Sequence, residues 1–389
     1  MEASFVVDGV ARIQLLSVPE RVASHLATEF PTYFNREGAA GHDHRLVVRF
    51  LPDLTLPPNA RVAKTAAYDE TSFFLLDSLG PVVRIDAPYS ADACEFQVAE
   101  RIDGELLEEF LEMLVRSEAL RQGMVFIHSS AVAVRGQGVV LSAWRRTGKT
   151  EVMLEMVRRG HAYVSDDWSI LSQEGNLHAF EKPIAMYTHD LASAPWVARA
   201  YHGGLKGAIL ARYSRLRSLA APGNPSRTLR VRVERRILRS AVQRMHLKTN
   251  MHVVPEQVGI RQASHSVPLR VVYMLCRTNR ADVSFVPQDP ELMAERALAN
   301  YRFETRTILD PDQLRFAFPS QECDLGLGVT PAALRTVLVA ALSRPEVQTY
   351  EVQIPLEKEA SELAIDIEEH VDGILSLHDA HGQPVRTNR

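Results

Sequence analysis

The chain has 389 residues, of which 46% are hydrophobic and 24% charged, and its formal net charge is −4. This is the composition of an ordinary globular protein of two or three domains, and it excludes a wholly disordered chain, a collagen-like fibre and a disulfide-rich scaffold. No apolar run approaches the roughly 20 residues that a membrane helix needs, so we expect no membrane partner.

The N-terminus and the cysteines indicate the cellular compartment. The N-terminal segment has acidic residues rather than Lys or Arg before its short apolar stretch, which is not the pattern of a secretory signal. The three cysteines, Cys94, Cys276 and Cys323, are far apart and odd in number, which favours free thiols. We therefore expect a protein of the reducing cytoplasm.

Residues 1–103 are predicted to form a β-rich domain. Runs of β-branched and aromatic residues at 45–51, 72–76 and 81–86 are separated by Pro and Gly, a pattern typical of short strands joined by turns. Residues 104–389 are predicted to form a second domain, which makes the protein α/β in class, or α+β overall.

The second domain is divided into a core, residues 122–200 and 265–345, and a helical insertion, residues 205–250, that is interrupted at 221–226. Its core strands are expected at 124–134, 139–143, 162–167, 270–276 and 283–287, a late strand at 349–354, and helices at 104–123, 149–160, 290–301 and 330–342. The Glu-rich stretch 356–369 is interpreted as an exposed helix or strand edge, and the tail from Gly382 as frayed.

Most of the positive charge lies in the insertion. Between Lys206 and Lys248 there are 12 Lys or Arg residues and one acid, Glu234, so this segment carries +11 in a chain of net charge −4. A charge run is usually a solvated face, but an excess of this size favours an anionic peptide, protein or metabolite as ligand. It could equally clamp nucleotide phosphates or contact an acidic surface of another copy in a homo-oligomer. Nucleic acid is less favoured, because Tyr213 is the lone aromatic residue in the run.

The residues Thr147-Gly148-Lys149-Thr150 form the end of a Walker A motif between a predicted strand and a predicted helix. Gly148 lets the backbone approach a phosphate, and the first N–H groups of the helix point towards the anion. Lys149 can reach the outer phosphates, and the Thr150 hydroxyl can hold Mg²⁺.

The first part of that motif is altered. Ala143 stands at its first position, and the loop that follows reads Trp-Arg-Arg-Thr. Because a residue other than glycine is costly at positive φ, the loop could follow a different path. Arg145 and Arg146 could add phosphate contacts or form a solvated turn.

Two adjacent carboxylates, Asp166 and Asp167, end the strand that follows the helix. In an α/β unit this places them at the carboxyl edge of the sheet, beside the phosphate loop. One acid can hold the metal while the other takes the proton of an attacking hydroxyl. The alternative is an Asx turn. Lys182-Pro183, further along, is either part of the substrate cleft or an ordinary turn.

The stretch from His128 to Asp167 resembles the catalytic core of bacterial HPr kinase/phosphorylase and its relatives. The matching residues, in the order of the family, are His128, Gly136, Gly138, Gly148, Lys149, Thr150, Glu151, Arg159, Gly160, His161, Asp166 and Asp167. His128 precedes Lys149 by 21 residues and Lys149 precedes Asp166 by 17, as in the family. Ala143 and Arg146 stand where the family has glycine.

The resemblance implies a nucleotide-binding fold like that of phosphoenolpyruvate carboxykinase, and transfer of a phosphoryl group from ATP or GTP to a hydroxyl with Mg²⁺. It implies that Asp166 is the base, that Thr150 and Asp167 hold Mg²⁺, and that His128 lies near the transferred group. It also implies that Lys149 is catalytic, because its charge neutralises the phosphates during transfer. The nucleotide would be bound by Arg145, Arg146, Thr147, Gly148, Lys149, Thr150 and Glu151.

Two alternatives to a kinase remain at the level of sequence. The altered loop could bind a nucleotide without transferring phosphate, as in a regulatory protein. The +11 segment could instead be the main surface of a nucleic-acid-associated protein, whose binding would fall steeply with salt. The sequence also leaves open a phosphorylase that acts in the reverse direction.

Overall fold

The computed structural model describes residues 1–36, 46–63, 65–86, 94–187, 190–219, 234, 237–242, 245, 251–305, 316–318 and 330–381. The described part contains both helices and strands throughout, in two sheets with covering helices, which confirms the α/β class. The predicted break at 221–226 and the frayed tail from Gly382 lie outside these residues. Among the described residues, no helix combines the length and apolar character that crossing a membrane requires.

The N-terminal part is a nine-stranded mixed sheet in the order β3-β1-β2-β4-β9-β8-β7-β6-β5. Its strands are β1 Ala3–Val7, β2 Ala11–Leu16, β3 Phe34–Asn35, β4 Leu46–Leu51, β5 Arg61–Val62, β6 Ala66–Tyr68, β7 Ser72–Asp77, β8 Gly80–Asp86 and β9 Cys94–Ala99. The three predicted strands correspond to β4, β7 and β8. Helix α1, Glu20–Glu29, was not predicted; it buries Val22, Ala23 and Leu26.

The second part is an eight-stranded sheet in the order β11-β10-β13-β14-β17-β19-β18, with β12 paired to β10 and β11 also paired to β17. Its strands are β10 Met124–Val134, β11 Gln137–Ala143, β12 Ala162–Ser165, β13 Trp168–Ser172, β14 Asn176–His178, β17 Ser266–Thr278, β18 Ser284–Pro287 and β19 Gln348–Pro355; β15 Ile184–Met186 and β16 Met251–Val253 form a separate pair. The central strand β10 is buried along its whole length.

Helices cover both faces of this sheet. They are α2 Gly104–Arg121, α3 Lys149–Arg158, α4 Asp190–Ser193, α5 Pro195–His202, α6 Gly204–Leu219, α7 Pro290–Glu304, α8 Pro331–Leu342 and α9 Ala360–His381, with a 3₁₀ turn at Pro255–Val258. Alternate residues of β11 face opposite ways: Val140 joins the apolar cluster with α2, α7 and α8, whereas Val139 and Leu141 join the cluster with α3 and α9. The sheet therefore lies between two helical layers.

The prediction that residues 356–369 form an exposed helix or strand edge was wrong about the exposure. Helix α9 begins at Ala360 and packs against α3. Its residues Leu363, Ile367 and Val371 are fully buried, because they recur every four residues on one helix face and the glutamates occupy the other.

The two sheets pack against each other through α2 and the loop after β14. The ring of Tyr33 stacks on Phe180 with centroids 5.5 Å apart, and one apolar cluster runs from β1 to α8. The boundary at residues 103 and 104 stays a prediction. Among the described residues, Cys94 and Cys276 form no disulfide bond, whereas Cys323 lies outside them.

Candidate functional site

Strand pairing brings the predicted site residues to one edge of the second sheet. Strand β11 ends at Ala143, and β10 runs antiparallel to it with Ser129 opposite Ser142. His128 of β10 therefore lies beside the end of β11. Strand β12 pairs antiparallel with β10 and ends at Ser165. Asp166 and Asp167 therefore leave the sheet at the same edge as the phosphate loop.

The loop enters α3 as the motif predicts. Gly148 is the N-cap residue with φ of 109°, and the Thr147 hydroxyl donates to the Trp144 carbonyl at 2.7 Å. The Lys149 ammonium is buried and donates to the Ala143 carbonyl at 3.2 Å. Burial lowers the pKa of Lys149, while the charges of Asp166 and Asp167 act in the opposite direction. Glu151 follows in the first turn of α3.

The two positions without glycine behave differently. Ala143 is the last residue of β11 and pairs in register with Leu275, so it needs no left-handed conformation. Arg146 has φ of 60°, the region where glycine is favoured and where another residue costs about 1–2 kcal/mol. The loop thus accommodates Arg146 with strain at one residue.

Asp166 is buried and faces the phosphate loop. The Thr150 hydroxyl donates to its two carboxylate oxygens at 3.0 and 3.2 Å, and the Ser130 hydroxyl donates at 2.5 Å. Burial raises the pKa of Asp166 despite these hydrogen bonds. Thr150 and Asp166 together form a pair of hard oxygen donors of the type that fits Mg²⁺.

Asp167 points the other way. It has φ of 68°, its side chain is 62% exposed, and its Oδ1 lies 3.3 Å from Nε2 of His128. Desolvation would raise the pKa of this carboxyl, but His128 and the ammonium groups of Lys182 and Lys149 outweigh it and lower the pKa to about 2. The carboxylate is therefore ionised and accessible to a substrate.

Three residues at the site were missed by the sequence analysis. Glu304 at the end of α7 accepts from Nε of Arg145 at 2.7 Å on each oxygen. Asn300, one turn earlier, donates to the Ala143 carbonyl at 2.9 Å. Arg277 of β17 reaches the Thr147 carbonyl at 3.4 Å. No local motif marks these residues, since each lies more than 100 positions from its partner.

Lys182 lies near the site but does not line an open cleft. Its ammonium is 2.5 Å from an oxygen of Glu112 on α2, and its side chain is only 19% exposed. The same Glu112 pairs with Arg116. Of the basic segment, α6 lies within the described residues, and Arg212 on it pairs with Glu234 at 2.9 Å.

Among the described residues, no group of three or more His, Cys, Asp or Glu side chains is placed so that it could hold a metal ion by itself. Mg²⁺ is commonly held by one or two protein oxygens together with substrate phosphates. The pair Thr150 and Asp166 fits that arrangement.

Part of the chain is similar in sequence to a known kinase. No family model matches the chain. A stretch of 59 residues is 36% identical to HPr kinase/phosphorylase of Mycoplasmopsis pulmonis, which is 15% of this chain and 19% of that protein. The resemblance to this kinase family is thereby confirmed over a stretch that spans about a fifth of the relative's length.

Among solved structures, the HPr(Ser) kinase/phosphatase of Coxiella burnetii is similar over 65% of this chain and 97% of its own, at 11% identity and a TM-score of 0.27. A TM-score of this size does not establish a common fold.

Proposed function

We propose that this protein is a Mg²⁺-dependent kinase that transfers the γ-phosphoryl group of ATP or GTP to a hydroxyl of a peptide, protein or small-molecule acceptor. One observation carries the proposal. At the N-terminus of α3, Thr150 is hydrogen-bonded to the buried Asp166, while Asp167 stands exposed beside His128. A phosphate cradle, a metal pair and a base are thus adjacent, which is the set of parts that phosphoryl transfer needs.

The phosphates would be held by the first backbone N–H groups of α3, by Lys149 and by the loop arginines Arg145 and Arg146. Thr150 and Asp166 would hold Mg²⁺, which neutralises charge on the phosphates when bound. These groups are fixed before the nucleotide arrives, since Lys149 and Asp166 are both buried and hydrogen-bonded. Catalysis would then rest on positioning and charge stabilisation.

The geometry favours an exchange of the roles that the sequence analysis gave to the two aspartates. Both oxygens of Asp166 are occupied by the hydroxyls of Ser130 and Thr150, and its side chain is 8% exposed. Its oxygens keep lone pairs beside Thr150, where Mg²⁺ would be held, but the carboxylate presents little surface to an acceptor hydroxyl. Asp167 is accessible and already ionised. We therefore propose that Asp167 takes the proton of the acceptor hydroxyl and that Asp166 binds the metal.

The acceptor is proposed to be anionic. The segment from Lys206 to Lys248 has an excess of 11 positive charges, counted from 12 Lys or Arg residues and one Glu. Within the described residues it begins as α6, whose Arg212 and Lys206 are exposed. Such a surface raises the local concentration of an anionic substrate.

The proposal is tested with ATP labelled at the γ-phosphate and Mg²⁺, offered with panels of acidic peptides and of phosphorylated metabolites that carry a free hydroxyl. We expect label in at least one acceptor, in amounts that fall as salt screens the basic segment. Binding of nucleotide with no transfer to any acceptor would favour a regulatory nucleotide-binding protein. An acceptor that is uncharged and unaffected by salt would refute the anionic assignment.

A further inference from the structure

The carboxylate of Glu304 lies between two groups of the active site. It is the last residue of α7, and its side chain is only 7% exposed. On one side both of its oxygens lie 2.7 Å from Nε of Arg145. On the other side Oε1 lies 3.2 Å from Nδ1 of His128. The buried carboxylate of Glu304 thus lies between Arg145 of the phosphate loop and His128 of β10.

Only one of the two partners is satisfied. Arg145 forms a two-oxygen pair with Glu304, whereas Nδ1 of His128 is buried and makes no hydrogen bond, although Glu304 is within reach. A buried polar nitrogen without a partner is unfavourable. The ring of His128 is held at Nε2 by Asp167 at 3.3 Å. In this arrangement the imidazole is therefore fixed at one end.

Arg145 is the partner that can leave. Its side chain is 61% exposed and lies on the phosphate loop, two residues after β11. A triphosphate bound in the loop offers it an anion of higher charge, and the planar guanidinium of arginine binds phosphate oxygens with two parallel hydrogen bonds. His128 cannot leave, because it is 5% exposed and packed on Trp168.

We propose that Glu304 is a positioning residue that exchanges Arg145 for His128 when nucleotide binds. The inference rests on the proposed function, since the phosphates are what draw Arg145 away. Released from Arg145, Glu304 accepts from Nδ1–H of His128 as the ring takes up one proton from water, and the resulting imidazolium donates from Nδ1 to Glu304 and from Nε2 to Asp167. The base, Asp167, therefore has a firmly held partner only when a phosphoryl donor occupies the loop.

The exchange is visible in the side-chain ¹⁵N spectrum. The signals of His128 are identified because they are absent from the spectrum of a His128→Gln variant. At one fixed pH and without nucleotide, the wild type is expected to show no hydrogen-bonded Nδ1–H signal. The Arg145→Ala variant is expected to show that signal without any nucleotide, because Glu304 is free from the start. Arg146→Ala removes the same charge from the same loop and is expected to resemble the wild type.

Addition of Mg²⁺ and ATP to the wild type is expected to bring out the Nδ1–H signal, and Glu304→Ala is expected to lack it in every condition. The inference is overturned if Arg145→Ala shows no such signal, or if the signal is present in the wild type before nucleotide is added. The Arg145→Ala arm uses no nucleotide. A failure of the proposed function, seen as no ATP binding, is therefore distinguishable from a failure of the exchange.

Discussion

Replacing Asp167 with Asn is expected to lower the rate of phosphoryl transfer by about 10²–10⁴-fold, the contribution of a positioned general base. The substitution removes the carboxylate that faces the acceptor but keeps its shape and its place beside His128. The Thr150–Asp166 pair is untouched, so binding of Mg²⁺ and ATP is expected to stay near that of the wild type. Transfer rates and calorimetric titrations on the same preparations measure the two effects separately.

The matched variant is Asp166→Asn. It replaces a buried oxygen ligand next to Thr150 by an amide, so we expect weaker Mg²⁺-dependent binding of the nucleotide as well as a loss of transfer. If Asp166→Asn instead retains binding and loses only transfer, while Asp167→Asn loses binding, the roles given by the sequence resemblance are correct and the geometric assignment fails.

Replacing Glu112 with Ala is expected to lower the free energy of unfolding by about 3–5 kcal/mol, the cost of breaking a buried ion pair from one side. Its two oxygens lie 2.5 Å from the Lys182 ammonium and 2.5 Å from the Arg116 guanidinium. Arg116 is 9% exposed and lies 4.3 Å from the Trp168 ring. Arg116 would lose its carboxylate partner while remaining buried, and the half-buried Lys182 would keep only Glu108, which lies 3.9 Å away.

Chemical denaturation followed by tryptophan fluorescence measures this loss. Glu105→Ala is the control, because Glu105 is an exposed residue in the first turn of the same helix; we expect it to cost no more than about 1 kcal/mol, from its interaction with the helix dipole. A change of similar size in both variants would mean that the buried cluster does not stabilise the packing of α2 against the second sheet.

The sequence was informative where the chemistry is local. The run from His128 to Asp167 contains the strand, the loop, α3 and both aspartates, and all of them meet at one edge because consecutive elements of an α/β unit pack together. The proposed roles of Asp166 and Asp167 could not be predicted from the sequence, since they depend on which carboxylate faces Thr150. That is decided by a left-handed residue at Asp167.

Contacts from distant segments could not be predicted. Glu304 pairs with a residue 159 positions away, and nothing in its own neighbourhood marks it as part of a site. Helix α1 was missed because its N-cap residue, Pro19, supplies no side-chain cap. A capping side chain is the usual sign of a helix start. The buried face of α9 could have been found, since Leu363, Ile367 and Val371 recur every four residues.

The account depends most on the altered loop being a working phosphate site, and a calorimetric titration of Mg²⁺ and ATP tests this directly. The wild type is expected to bind saturably, and Lys149→Ala to bind at least about tenfold more weakly, the loss of one charged hydrogen bond to phosphate. Lys206→Ala, an exposed lysine of α6, is the control and should bind as the wild type does. No binding of ATP or GTP by the wild type, or equal binding by Lys149→Ala, would contradict the account.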